Sequence, residues 1–281
     1  MDFDVEYERY VPKSFPKDLI QQAVNYKPMD NDVFIVSYPK CGTTWTQQIL
    51  YLLLNDGVPP NKTILFSKSI PFLELCAPEA PRDRDRHLIR GFKTHLPSHL
   101  APYDKCAKYI YCDFPLLPCH DFNGFFKLFM SGQTGYGDYF DHLMGWYERH
   151  RHSDNVLIVH FEDLKADLEA EVKRIARFIS DDSYERLVSH KTFAENVLKF
   201  STFDFMKTST NEHMKQFFEM SVNDMERDDQ ILDGFKDAFR GIKTEKTVNI
   251  APEVNHIRKG IVGDFRTHFT AQQNKAMNDK I

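Results

Sequence analysis

The 281-residue sequence predicts a single α/β domain built on a mostly parallel sheet flanked by helices. Three observations predict it. Short, continuously apolar runs closed by turn residues recur along the chain, as strands buried on both faces require. Stretches of helical periodicity lie between those runs, which favours parallel strands joined by crossover helices. No repeat, Gly/Ser-rich linker or break in composition divides the chain.

The elements follow in order. Residues 1–30 are expected to form an N-terminal extension packing on a domain that spans 31–272. Val33-Phe34-Ile35-Val36, closed by Tyr38-Pro39, predicts the first buried strand. After the turn at Lys40-Cys41-Gly42, apolar residues at Trp45, Ile49, Leu52 and Leu53 keep helical spacing until Asn55-Asp56-Gly57. Leu88 to Phe92 and Tyr109 to Cys112 predict two further strands. Val156-Leu157-Ile158-Val159 is the clearest strand, and it feeds a helix with Leu164, Leu168, Val172, Ile175 and Ile179 on one side. Residues 207–257 are polar and charged, as at Glu226-Arg227-Asp228-Asp229, and predict a helical excursion or lid within the domain.

Composition narrows the functional classes. The formal charge is −5, from 36 Lys and Arg against 41 Asp and Glu, so phosphate-driven nucleic-acid binding is not expected. A small anionic cofactor needs only a local cluster of donors. The 24 Phe and 12 Tyr suit a core with flat apolar pockets. The acidic N-terminus, Met1-Asp2-Phe3-Asp4-Val5-Glu6, has no leader pattern, and no apolar run approaches spanning length, so a cytoplasmic protein without a membrane partner is expected. Five cysteines, Cys41, Cys76, Cys106, Cys112 and Cys119, form an odd set without a CxxC pair. Neither a disulfide framework nor a metal site is expected.

The chemistry-bearing segment is Tyr38-Pro39-Lys40-Cys41-Gly42-Thr43-Thr44-Trp45, placed between a strand and a helix. There the first backbone N–H groups and the positive end of the helix dipole converge on a bound anion. Gly42 admits close approach, Thr43 and Thr44 add hydroxyls, and Lys40 adds charge. The Walker A pattern with its Gly-Lys-Ser/Thr is absent, which argues against a nucleotide kinase.

With its flanking blocks, this segment resembles the cytosolic sulfotransferase family. Tyr38 to Trp45 is similar to the family's 5′-phosphosulfate loop, YPKxGTTW. Lys93-Thr94-His95-Leu96-Pro97 is similar to its KTHLP block, and Phe161-Glu162-Asp163-Leu164 to a further block. Arg258-Lys259-Gly260 followed by Gly263-Asp264-Phe265 is similar to its C-terminal RKGxxGDW. The resemblance implies a P-loop-like phosphosulfate-binding loop and a sulfotransferase. It would use 3′-phosphoadenosine 5′-phosphosulfate (PAPS) as donor and a small, apolar alcohol or phenol as acceptor. It implies His95 as the general base, a role suited to a side chain that titrates near working pH. Lys40 and Lys93 would neutralise the leaving group, and Lys40, Cys41, Gly42, Thr43 and Thr44 would wrap the phosphosulfate. Trp45 would stack on adenine, with Phe161 where many members have Tyr. Ser201-Thr202-Phe203 with Met206 is similar to the family's TSFxxMK segment with its first two residues exchanged. Arg258, Lys259 and the Gly260 backbone would hold the 3′-phosphate. Phe66, Phe72 and Phe129 are candidates for the pocket wall.

The chain departs from the family in a segment that bears on activity and in a strip that bears on dimerisation. After Tyr109-Ile110-Tyr111 the family continues with Arg-Asn-Pro-Lys-Asp and then a Ser, and that Arg and Ser bind the 3′-phosphate. This chain runs Cys112-Asp113-Phe114-Pro115-Leu116-Leu117-Pro118-Cys119-His120-Asp121-Phe122, with Phe114 near the Arg position and Phe122 near the Ser position. A catalytically impaired or silent binding protein on the same fold is therefore the alternative. Arg266 to Lys275 also replaces the family's dimer motif, so dimerisation through that strip loses support.

Overall fold

The computed structural model describes residues 11–12, 14–61, 68–76, 88–113, 122–229, 231–244, 257 and 259–280. Four parallel strands form one sheet in the order β2-β1-β3-β4: β1 Asp32–Ser37, β2 Arg90–Thr94, β3 Lys108–Asp113 and β4 Val156–His160. All six residues of β1 are buried, as the continuous apolar run requires. Phe34 and Val36 join one core with Phe92, Tyr109 and Tyr111. Val33 and Ile35 join the opposite core with Ile110, Cys112 and Val159. Helices therefore cover both faces of the sheet, the expected α/β architecture.

Helix α1, Lys17–Val24, buries Ile20 and Ala23 in the first core. Helix α2, Thr43–Leu54, follows the loop after β1 and packs Ile49, Leu50, Leu52 and Leu53 into the second. Helices α3, Phe122–Met130, and α4, Tyr139–His150, return the chain to β4. Helices α5, Phe161–Ala166, α6, Leu168–Ile179, α7, Asp181–Ser189, and α8, Lys191–Ser201, follow. The described part of 207–257 is mostly helical: α9 is Phe203–Glu219, α10 Val222–Arg227 and α11 Asp233–Thr244. It carries a small cluster of its own, Phe217, Met225 and Ile231. The C-terminal helix α12, Ala271–Lys280, buries no residue and is tied down by Lys280, which reaches Asp138 at 2.5 Å and the Met130 carbonyl at 2.6 Å.

Two boundaries differ from the sequence expectation. Strand β2 starts at Arg90 rather than Leu88, which is exposed, because Arg90 pairs with the buried Asp32 across the register Asp32↔Arg90. The Asp32 carboxylate also accepts bonds from the Tyr26 hydroxyl and the Met29 N–H, each at 2.8 Å, so its burial is fully compensated. The second difference lies after β4, where one helix was expected and two form. Asp167 accepts a bond from Ala170 N–H at 3.0 Å and caps α6, and an N-cap requires non-helical backbone.

Candidate active site

The site gathers at the carboxyl ends of β1 and β2, the edge at which open α/β sheets bind ligands. Beyond β1 the chain turns through two left-handed residues, Lys40 at φ +70° and Gly42 at φ +82°. Such a backbone suits Gly42 and strains Lys40, and strain held in a turn between a strand end and a helix N-terminus points to function. The N-cap of α2 is Gly42, which has no side chain to cap it, and the Thr43 hydroxyl is bonded to that of Ser37. The first N–H groups of α2 therefore face out of its N-terminus without an intrahelical partner.

Trp45, in the first turn of α2, is 7% exposed, and its indole N–H donates to the Ser201 carbonyl at 2.7 Å. Gln48, three residues on, donates to the Phe200 carbonyl at 3.3 Å. These bonds fix α2 against the end of α8, so Trp45 meets Phe161 at 5.6 Å and Phe203 at 6.0 Å, both edge-on. The Lys165 ammonium lies 4.6 Å from the Phe203 ring centre. Ser201 is fully buried, and its hydroxyl has no partner. Thr202 caps α9 by accepting from Phe205 N–H at 3.3 Å, and Met206 is buried in the core beside Trp45 and Phe161. Aromatic rings with a cation over one of them suit a flat heteroaromatic ring.

His95 immediately follows β2, beside Ser37 at the end of β1. Its Nδ1 lies 2.7 Å from the Ser37 carbonyl oxygen. A carbonyl only accepts, so Nδ1 carries the proton and Nε2 keeps its lone pair. Burial and the nearby Lys93 ammonium hold the imidazole down to about 3, well below the working-pH range expected of it, so it is neutral at physiological pH and a weaker base than a free histidine. Two rings flank it edge-on, Phe72 at 5.1 Å and Tyr136 at 5.3 Å. Its backbone is held from two sides: its N–H donates to Glu74 Oε1 at 2.8 Å, and its carbonyl accepts from His142 Nε2 at 3.1 Å.

Lys93 is buried, with its ammonium 4.4 Å from the Phe72 ring centre. Burial lowers it to about 8, with Glu74 opposing the shift and Lys40 adding to it. Lys40 shows part of its side chain to solvent, yet the protein around its charge also lowers it to about 8. Glu74 is fully buried, and desolvation raises it to about 7. One of its oxygens has no hydrogen-bond partner.

The structure thus brings Lys40, Lys93 and His95 together, and groups Trp45, Phe161, Ser201 and Phe203 beside them. Gly260, at φ +60°, rests on Phe203: a Cβ at Gly260 would lie 2.1 Å from the ring. Lys259 is exposed and pairs with Asp264 at 3.2 Å. Arg258, Phe66 and residues 114–121 lie outside the described residues. Phe122, near the family's Ser position, opens α3 with its ring against Phe269 at 5.5 Å and His268 at 5.9 Å. Phe129 packs on Tyr139 and Phe140. A separate cleft of about 300 Å³ between α1 and α11 shares no lining residue with this cluster. Among the described residues no group of His, Cys, Asp or Glu could hold a metal ion, and no helix is long and apolar enough to cross a membrane.

Sequence reading missed Ser37, Glu74, Tyr136 and His142. Only Glu74 left a signal, as an acid inside the apolar run Pro71-Phe72-Leu73-Glu74-Leu75. The other three reach His95 through a backbone carbonyl, a ring edge and a buried imidazole, contacts that carry no motif.

The family model for the sulfotransferase domain matches residues 30–113 and 116–224, more than half of the chain. The chain belongs to the sulfotransferase family. Human sulfotransferase 1E1 is 28% identical over 309 aligned positions, covering 100% of this chain and 92% of that protein. Rabbit amine sulfotransferase is also 28% identical, over 92% of this chain and 81% of that one. Among solved structures, mouse sulfotransferase SULT7A1 complexed with PAP superimposes with a TM-score of 0.62 at 22% identity, over 95% of this chain and 88% of that one. Retinol dehydratase in complex with androsterone and PAP gives 0.56 at 20% identity, over 94% and 85%. The two superpositions establish a shared sulfotransferase fold. The family match ends at residue 224, before the Arg258-Lys259-Gly260 block.

Proposed function

We propose that this sulfotransferase moves a sulfuryl group from PAPS to the hydroxyl of a small, apolar alcohol or phenol in the cytoplasm. One observation carries the reading: the Ser37 carbonyl fixes the His95 tautomer, leaving Nε2 as a base beside two lysines. PAPS, when bound, supplies the transferable sulfuryl group and a phosphate leaving group. The α2 N-terminus, with Lys40, Gly42, Thr43 and Thr44, suits the 5′ phosphosulfate. Trp45, Phe161 and Phe203 suit the adenine, and Lys259 with the Gly260 backbone suits the 3′-phosphate. The PAP in both similar structures favours the same nucleotide class here.

The chain's own groups then divide the work. His95 Nε2 takes the proton from the acceptor hydroxyl as that oxygen forms its bond to sulfur. Phe72 and Tyr136 hold the imidazole edge-on and exclude water from it. Lys40 and Lys93 offset charge developing on the leaving phosphate, as in phosphoryl transfer. In the free chain burial is the main cause of the low basicity of His95, and these lysines add to it. Once paired with an anion they no longer do so, and the base strengthens when the donor site fills.

His95→Ala tests the assignment. It should lower kcat by about 10²–10⁴-fold while PAP affinity stays close to wild type. Full kcat across the pH range would place the proton on another group. A second reading, a nucleotide-binding protein with little turnover, draws on Phe122, which offers no hydroxyl near the family's Ser position. Turnover with labelled PAPS across a panel of alcohols and phenols separates the two.

A further inference from the structure

Asn211 stands in α9 eight residues beyond Phe203, about 12 Å further along the helix axis. Its side-chain amide makes two bonds to one residue: Nδ2 donates to the Ile257 carbonyl at 2.9 Å, and Ile257 N–H donates to Oδ1 at 2.9 Å. A single side chain thereby satisfies both backbone groups of Ile257, as a neighbouring strand would. Ile257 directly precedes Arg258-Lys259-Gly260 in the sequence. At the far end of that segment the Phe203 ring fills the space a Cβ on Gly260 would need. Helix α9 therefore grips the chain at Ile257, by a polar clamp, and at Gly260, by an aromatic seat.

We propose that Asn211 is a positioning residue for the 3′-phosphate end of the nucleotide site, setting where Lys259 and the Gly260 backbone stand. The inference rests on the PAPS reading above, and Asn211 itself touches no nucleotide. The side-chain chemistry is specific to the task. Aspartate offers the acceptor without the donor and sets a negative charge against a carbonyl, and leucine leaves both backbone groups unmet. The ligand class selected is an adenine nucleotide phosphorylated at the 3′ position. The nucleotide's other end is held by the loop before α2, which Asn211 does not contact.

The experiment compares two nucleotides on the full chain by calorimetric titration: PAP, and adenosine 5′-phosphosulfate, which lacks the 3′-phosphate. Asn211→Ala should weaken PAP about tenfold, the loss expected for two hydrogen bonds that hold a charged group in place, and leave adenosine 5′-phosphosulfate unchanged. Asn211→Asp, which keeps half of the clamp, should fall between, and it decides the matter alone if the alanine variant does not fold. Lys40→Ala, at the opposite end, should weaken both nucleotides together. Equal losses for both nucleotides in the Asn211 variants, or none for either, would overturn the assignment. A wild-type chain that does not prefer PAP over adenosine 5′-phosphosulfate would instead refute the donor reading, and this inference with it.

Discussion

Lys40 and Lys93 differ from ordinary surface lysines in one measurable way: the surrounding protein brings each down to about 8. In the free chain both ammonium groups lose their protons as pH rises through that value. An anion favours the charged form and restores it, so binding above pH 8 must take up protons. PAP affinity should therefore begin to fall near pH 8 rather than near 10, by up to about tenfold per pH unit for each lysine. Calorimetry in two buffers of different ionisation enthalpy would count the protons, and Lys40→Arg should shift the decline to higher pH. Constant affinity to pH 10 would mean that both lysines are fully charged before the ligand arrives. The lysines and His95 were legible in the sequence because they sit in short blocks next to strand ends. Glu74, which bonds the His95 N–H, was not, since a carboxylate 21 residues away has no fixed spacing to the base.

Element boundaries were legible wherever apolar periodicity set them. β1, β3, β4 and α2 lie within one or two residues of the expected spans, because each buries a continuous or helical apolar pattern. The pattern was silent where polar groups decided: Asp32 and Arg90 moved β2 toward the site, and the Asp167 cap split the helix after β4. The docking of α11 was also hidden. Gly234, in its first turn, lies so close to the segment before β2 that an added Cβ would sit 2.5 Å from the Leu75 carbonyl oxygen and 2.2 Å from Leu19. The Leu19 tip could move aside, but the backbone carbonyl could not. Gly234→Ala should therefore destabilise the fold by about 1–3 kcal/mol, against the small gain alanine brings to an exposed helix. Urea unfolding measures it, and unchanged or raised stability would show that α11 does not dock this closely. Leu75 adjoins Glu74, which holds the His95 N–H, so the same variant should also lower kcat.

For the whole molecule, the open matter is the segment that replaces the family's Arg and Ser. A charged hydrogen bond is worth ~1.5–3 kcal/mol and a neutral one ~0.5–1.5, so losing both partners should cost about 2–4 kcal/mol. That corresponds to roughly 30- to 1000-fold weaker PAPS binding. Replacing Asp113 through Phe122 with a family-type Arg-Asn-Pro-Lys-Asp…Ser segment should recover affinity and turnover together. Submicromolar PAPS binding by the unmodified chain, with no gain on replacement, would mean that other donors hold the 3′-phosphate. This expectation was legible in the sequence because it rests on a missing motif. The sequence was silent about Asn211, whose partner lies 46 residues away and is a backbone. The Trp45 indole spans a longer interval, since the carbonyl it bonds belongs to Ser201, 156 residues later. A ribosome adds about 5–20 residues per second, so about 8–30 s separate the synthesis of the two. β1 precedes Trp45, and β2, β3 and β4 are all made within that interval, before Ser201 appears. The contact that closes the Trp45 side thus forms only after all four strands are synthesised, and a nucleotide bound there, as proposed, could assist folding only from that point.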